Sequence, residues 1–170
     1  PIYFTSINDD IGGDTNGNNT VSAPKDWGYI SLHNPSSVIN NIKVSYGGSV
    51  GMATYQETIF PALIASSNGI ITTINSEFSN NPTAIYHSNG SLNITNGNLH
   101  HNETAIHAEQ RNVTYPKYAG LTLNDSTISD NTKYGAYVNI TGSSNFTSGN
   151  ALFTFNNNTF TNNKSHVSAL

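Results

Sequence analysis

Apolar and polar residues alternate along four segments of this chain, and each segment ends just before a cluster of polar residues. The segments read ITTINSEF at 71–78, LNITNGNL at 92–99, LTLNDSTI at 121–128 and FTFNNNTF at 153–160. Alternation with a period of two, carried by Ile, Leu, Phe and Thr, is typical of a β-strand with one buried face. No stretch shows a convincing helical period. The pattern predicts an all-β protein.

The four segments are copies of an internal repeat, and the last apolar residue of each copy can be used as a marker. Successive markers are 21, 29 and 32 residues apart. The markers are Phe78, Leu99, Ile128 and Phe160. A unit of about 21 residues made of short strands and turns matches one coil of a parallel β-helix, in which equivalent residues of successive coils stack. A weaker copy, NNIKVSYGG at 40–48, has Val44 in the marker position.

A polar pair, Asn-Asn or a close equivalent, follows each marker after one residue, where a regular element should break. Asn tolerates the left-handed backbone conformation of a sharp corner, and its amide can bond the Asn of the next coil. We therefore predict a parallel β-helix (solenoid) of about five to seven coils with an Asn ladder at one corner. The predicted ladder residues are Asn81, Asn102, Asn131 and Asn163, with the markers stacked just inside them.

The repeat assigns the whole chain, residues 1–170, to a single β-helix domain. Its predicted parts are N-terminal coils at 1–48 with an acidic Gly/Asn loop at 8–20, a poorly matching coil at 49–70, and clear repeats at 70–170 with loops at 109–120 and 139–150. Loops that leave one region of a solenoid often form its binding face. The alternative is that both loops are passive excursions.

The composition favours an extracellular protein. Asn, Ser and Thr number 27, 20 and 19 of 170 residues, and only 9% of the chain is charged. Such a composition also occurs in disordered tracts, but the patterned apolar residues favour a fold. Six Lys and Arg residues are too few to neutralise a nucleic-acid backbone, and no apolar run is long enough for a transmembrane segment. The start at Pro1, without Met or signal peptide, is typical of a processed chain or an excised segment.

Ten Asn-x-Ser/Thr sequons occur, which become candidate N-glycosylation sites if the protein is exported. They lie at Asn18, Asn89, Asn93, Asn102, Asn112, Asn124, Asn139, Asn145, Asn157 and Asn163. The chain has no Cys, which excludes disulfides and thiolate sites.

The repeat resembles right-handed parallel β-helix proteins of the pectate-lyase-like superfamily. FSNN at 78–81 and FTNN at 160–163 are similar to the Phe-x-x-Asn repeats of chlamydial polymorphic membrane proteins. PIYFTSINDDIGGDTNGNN at 1–19, followed by DWGYISL at 26–32, resembles a segment of prokaryotic cell-surface β-helix proteins, with Tyr29 where Gly is usual. The resemblance implies a right-handed β-helix and a location at the cell surface. It implies no particular activity, because many functions share this fold.

The acidic loop at 8–20 is a candidate calcium site, because calcium takes hard oxygen ligands on a flexible loop. Asp14, Asn16 and Asn18 have the D-x-N-x-N spacing of an EF-hand-type loop, and Asp9 and Asp10 are close. The twelfth position, which should be Glu, is Lys25. The alternative is an ordinary Asp/Asn/Gly turn. No other cofactor is predicted.

Six His residues give no set of two His and a carboxylate with metal-ligand spacing. His100 and His101 are neighbours, and we expect them to point to opposite sides of a strand or corner. Aligning the copies places Tyr86 above His107. A sugar-stacking strip of tyrosines, Tyr86, Tyr115, Tyr118, Tyr134 and Tyr137, is a further possibility.

The carboxylates are scattered along the repeat rather than paired, which argues against a glycosidase or lyase. We therefore predict a structural or adhesive cell-surface protein and not an enzyme. Its partners are predicted to be copies of itself stacked head to tail into a filament or layer, or flanking coils of a longer chain. The alternative is a module that binds or degrades polysaccharides. Matching apolar surfaces at the two ends would favour the structural interpretation.

Overall fold

The computed structural model describes residues 1–9, 20–54, 57–67, 69–109, 120–139 and 153–169. These residues form strands and no helix, and so contain no helix that could cross a membrane. The strands are β1 (Ile2–Phe4), β2 (Ile30–Leu32), β3 (Val38–Asn40), β4 (Ile42–Ser45), β5 (Met52–Ala53), β6 (Thr58–Ile59), β7 (Pro61–Ser66), β8 (Ile70–Ile74), β9 (Glu77–Ser79), β10 (Thr83–Ser88), β11 (Ser91–Thr95), β12 (Asn98–His100), β13 (Thr104–Glu109), β14 (Gly120–Asn124), β15 (Thr127–Ser129), β16 (Tyr134–Asn139), β17 (Phe153–Asn156), β18 (Thr159–Thr161) and β19 (Ser165–Ala169).

Three sheets contain all of these strands except β5 and β6, and every pairing within them is parallel. The first sheet has the order β1-β4-β9-β12-β15-β18, the second β2-β7-β10-β13-β16-β19, and the third β3-β8-β11-β14-β17. The chain visits the second, third and first sheets in turn, so each circuit adds one strand to each sheet. The prediction of an all-β protein is confirmed, and the three parallel sheets are compatible with a parallel β-helix.

The core lies between the three sheets and is built from columns of apolar side chains. In β8, β11 and β14, buried and partly exposed residues alternate, as expected for strands with one inner face. In the first sheet Leu99 pairs with Phe78 on one side and Ile128 on the other. In the second sheet Ile85 pairs with Leu63 and Ile106. All these side chains are fully buried.

Residues 49–70, to which one coil was assigned, divide between two kinds of structure. Met52–Ala53 and Thr58–Ile59 form an antiparallel hairpin outside the three sheets, and only Pro61–Ser66 enters the second sheet. Ile59 packs with Ile64 and Tyr86 on the outer face of that sheet, and Met52 packs against the same cluster. Because both faces of β7 are buried, its sequence lacks the alternation that marks β8, β11 and β14.

Candidate functional site

At the corner between the first and second sheets, two adjacent residues have different structural roles. The first residue adopts the left-handed conformation, with φ between 54° and 57° in Asn80, His101, Asp130 and Asn162. The second residue is one of the four predicted ladder asparagines. The sequence prediction did not separate these two roles. Asn and Asp tolerate this backbone conformation better than other non-Gly residues.

The four asparagines form one buried column of hydrogen bonds. Asn102 Oδ1 accepts from the backbone N and from Nδ2 of Asn81, at 3.0 Å each. Asn131 Oδ1 accepts the same two bonds from Asn102, at 3.0 and 3.1 Å. Asn163 Oδ1 accepts them from Asn131, at 3.1 and 2.7 Å. The column begins at Gly47, whose N–H donates to Asn81 Oδ1 at 2.8 Å.

A second corner, between the third and first sheets, was missed from the sequence. A left-handed residue lies three positions before each marker, with φ between 51° and 57°. These residues are Asn41, Asn75, Asn96, Asp125 and Asn157. Inside this corner Ser126 Oγ accepts from Gly97 N at 3.0 Å, and Asn158 Oδ1 accepts from Ser126 N at 2.9 Å. The recurring Asn or Asp before each marker was the signal that could have revealed it.

The two ends of the stack expose apolar side chains. At one end, β1 leaves Ile2 64% exposed and Phe4 39% exposed, although both pair with buried residues of β4. At the other end, Phe155 of β17 is 37% exposed and Val167 of β19 is 44% exposed. Each terminal strand is also the edge of its sheet. Open edges of this kind are templates for pairing with a further strand.

A groove of about 410 Å³ runs along the outer face of the second sheet beside the hairpin. It is lined by Tyr29, Ser31, His33, Val50, Gly51, Met52, Ile64, Ser66, Tyr86, Ser88 and Asn89. Ser88 Oγ donates to Ser66 Oγ at 2.9 Å. Among the described residues, the lining combines hydroxyl groups with aromatic and apolar surface and includes no Lys, Arg, Asp or Glu.

Farther along the same face, aromatic rings stack over successive coils. Tyr86 pairs with His107, which pairs with Tyr137, and the ring centroids are 5.8 and 4.8 Å apart. His107 Nε2 lies 3.7 Å from a carboxylate oxygen of Glu109. All four side chains are buried, and burial raises the pKa of Tyr137. Tyr86 and Tyr137 therefore do not offer open ring faces to a sugar, and Tyr115 and Tyr118 lie outside the described residues.

Glu77 lies at the centre of a polar cluster on the outer face of the first sheet. Its carboxylate lies 2.8 Å from Lys43 Nζ and 3.4 Å from His100 Nε2. Burial alone would raise the pKa of Glu77, but Lys43 and His100 outweigh it, so the pKa is lowered. His100 Nδ1 lies 2.8 Å from His101 Nδ1, so the expectation that these rings point to opposite sides was wrong. The left-handed backbone of His101 breaks the alternation of the strand.

Most of the predicted calcium ligands, Asp10, Asp14, Asn16 and Asn18, lie outside the described residues. Asp9 accepts a hydrogen bond from the Thr5 hydroxyl. Asp26, beside the twelfth position of the loop, accepts from Ser6 Oγ at 2.6 Å and from Ala23 N at 3.0 Å, and the Ser6 bond lowers the pKa of Asp26. Across the described residues, no three His, Cys, Asp or Glu side chains form a group that could hold a metal ion.

The predicted glycosylation sites differ in accessibility. Asn102, Asn139 and Asn163 are buried, with exposed fractions of 0%, 1% and 9%, which leaves no room for a glycan on the folded chain. Asn89, Asn93, Asn124 and Asn157 are partly or fully exposed. Asn18, Asn112 and Asn145 lie outside the described residues, as do residues 110–119 and 140–150 of the two predicted loops.

Comparisons with known proteins add no relative: no protein-family model, no curated protein and no solved structure matches this chain. Membership of the pectate-lyase-like superfamily therefore stays a prediction, and the function must be argued from the geometry of this chain.

Proposed function

We propose that the chain is a structural or adhesive unit of a cell surface, a right-handed parallel β-helix whose end surfaces stack on further coils, either those of another copy or flanking coils of a longer chain. The observation that carries this proposal is the pair of end surfaces, where apolar side chains and open strand edges are exposed together. Exposed apolar patches on soluble proteins commonly mark interaction sites. Head-to-tail contacts between identical subunits generate filaments when the rotation does not close.

The side chains at the two ends are chemically matched in all three sheets. Continuing the observed register by one coil would place Phe160 of one copy against Phe4 of the next, because both occupy the marker column of the first sheet. Val167 would meet Ile30 in the second sheet. Phe155 would meet Ile39 in the third. Each of these three junctions would pair an apolar residue with an apolar residue.

The extracellular location rests on composition. The outer faces present uncharged Asn, Ser and Thr far more often than charged residues, which is unusual for a cytosolic domain. Accessible sequons such as Asn93 and Asn124 would suit a glycoprotein. Protease treatment of intact cells tests the location, because a surface protein is cleaved while a cytosolic control is spared.

The stacking proposal is tested by electron microscopy and light scattering of the purified chain. We expect filaments or sheets for the native chain and their loss in Val167→Lys, which puts a charge on an open edge. Ile70→Lys is the matched control, because Ile70 is 50% exposed but lies within the stack. Single particles at every concentration would overturn stacking with copies of itself and leave flanking coils of a longer chain as the partner. Disassembly by a calcium chelator would add support for calcium in the loop at 8–20.

The groove favours a second candidate function, the binding of a neutral glycan. Tyr29 is 42% exposed at the groove and can cover the CH face of a sugar, while the Ser hydroxyls and the Asn89 amide can bond sugar hydroxyls. Titration calorimetry with neutral oligosaccharides tests this, and Tyr29→Ala should abolish the heat of binding. Tyr3→Ala is the control, since Tyr3 is 46% exposed outside the groove. Equal binding by both variants would contradict a role for the groove.

A further inference from the structure

Ser31 and His33 meet inside the groove. Ser31 lies in β2 and His33 follows that strand, so the two residues occupy the same side of the extended backbone. Ser31 Oγ lies 2.7 Å from His33 Nε2, and His33 Nδ1 lies 3.0 Å from the carbonyl oxygen of Ser66. A carbonyl oxygen can only accept, so Nδ1 carries the proton of the neutral ring. Nε2 is then the acceptor for the Ser31 hydroxyl.

We propose that Ser31 is a nucleophile and His33 its general base in an acyl-transfer site that acts on small neutral esters. The arrangement has the parts that such chemistry needs: a hydroxyl within hydrogen-bond reach of a base, and a third group that orients the base. The orienting group here is the Ser66 carbonyl rather than a carboxylate. Both Ser31 and His33 are exposed in the groove, so an ester carbonyl can approach the hydroxyl.

The reaction needs no group beyond the ester and water. Ser31 Oγ bonds to the carbonyl carbon while its proton moves to His33 Nε2. The tetrahedral adduct then breaks its bond to the alcohol oxygen, and His33 returns the proton to the departing alcohol. Water attacks the acyl group on Ser31 with His33 again as base, which releases the carboxylic acid and restores the hydroxyl.

The side chains that line the groove and its volume indicate which class of ester would fit. The described residues that line the groove include no Lys, Arg, Asp or Glu, which favours a neutral ester over one that carries a carboxylate or phosphate. Val50, Met52 and Ile64 supply apolar surface for a short acyl chain, and the Asn89 amide is a side-chain donor in the same groove for the developing oxyanion. A volume of about 410 Å³ suits an acetyl ester of a small alcohol.

The test uses two reagents on the whole chain: a fluorophosphonate, which labels activated serines, and p-nitrophenyl acetate. We expect the label on Ser31 by peptide mass mapping. Ester hydrolysis should fall about tenfold or more in both Ser31→Ala and His33→Gln. Ser49→Ala, at an exposed serine outside the groove, is the control. Thermal unfolding of each variant shows whether it is folded.

Absence of label, label on another serine, or hydrolysis that persists in a folded Ser31→Ala would each overturn the proposal. Neither reagent contains a sugar, and neither requires self-association. The result is therefore independent of the glycan-binding and stacking experiments, and a failure here would leave both of those proposals intact.

Discussion

Replacing Asn102 by Ala should destabilise the fold by about 4 kcal/mol, because this side chain forms hydrogen bonds that join three successive coils. It is fully buried. Its Oδ1 accepts two hydrogen bonds from Asn81, and its Nδ2 donates to the carbonyl oxygens of Phe78 and His100 at 3.0 Å each. Nδ2 also lies 3.1 Å from Asn131 Oδ1. An alanine supplies none of these groups and leaves a small cavity.

The magnitude follows from the groups that lose their partners. The buried N–H of Asn81 loses its acceptor, and the buried carbonyl of Phe78 loses a donor. An unsatisfied buried polar group costs about 1–3 kcal/mol, so two of them give about 4 kcal/mol. Domains are stable by about 5–15 kcal/mol in total, so the loss is a large share. For a chain of this size it should lower the melting temperature by about 10 °C.

The assay is thermal and urea unfolding followed by circular dichroism on unglycosylated protein, because the substitution also removes a sequon. Asn98→Ala is the control, since Asn98 is exposed on the neighbouring strand of the same coil. Asn163→Ala should cost somewhat less than Asn102→Ala. It deprives the Asn131 N–H and the Ile128 carbonyl of the same two kinds of partner, but Asn163 is 9% exposed, so water can replace part of what is lost. If Asn102→Ala unfolds within about 1 kcal/mol of Asn98→Ala, the hydrogen bonds of the column do not stabilise the corner as argued.

Three further substitutions test other parts of the fold. Thr73 is 1% exposed in a column whose next member is Ile94, and within the described residues its hydroxyl has no hydrogen-bond partner. Thr73→Val should therefore raise the free energy of unfolding by about 1 kcal/mol, measured in urea. Gly48→Ala should cost about 2 kcal/mol or more, since φ is +89° and a Cβ would lie 2.3 Å from the Phe60 carbonyl oxygen; loss of melting temperature measures it. Burial lowers the pKa of His87 below its ordinary value of 6.5, so the unfolded chain binds a proton that the folded chain does not. Stability should fall as the pH drops through about 6.5 toward the folded pKa, and His87→Ala should flatten that slope in urea titrations at several pH values.

From residue 70 onward, the strands that could be predicted are those of the first and third sheets, because each has one inner face, unlike β10 and β13 of the second sheet, which are buried on both faces. There the alternation of residues records the alternation of burial, and a one-residue shift would expose a whole column. Leu99 pairs directly both with Phe78, 21 residues earlier, and with Ile128, 29 residues later. Register in a solenoid is therefore set by the stacking of equivalent side chains and not by the spacing along the chain. The all-β class and the parallel sheets followed from that alternation.

The hairpin and the polar contacts could not be predicted from the same pattern. Met52–Ala53 and Thr58–Ile59 cover the outer face of the second sheet, so the strand beneath them is apolar on both sides and carries no periodic signal. The contact of His100 with His101 depends on a left-handed backbone at His101, which a strand-like alignment does not anticipate. The Ser31 and His33 pair lies outside the clear copies of the repeat. It can be recognised only in the structure, where the Ser66 carbonyl oxygen orients the His33 ring.

The places where successive coils differ are where function should be sought. In the second sheet, the inward column reads Ile30, Leu63, Ile85, Ile106 and Ala136, all apolar, because each member packs on the coils above and below. The adjacent outward column reads Ser31, Ile64, Tyr86, His107 and Tyr137, and its chemistry changes from coil to coil. A contact that recurs in every coil requires a similar residue at that position in every coil. The repeated packing of the core therefore does not determine the outward column, in which Ile64 and Tyr86 pack with the hairpin instead. The column continues to Ser168, and at its opposite end Ser31 is exposed, where solvent and a ligand can reach it.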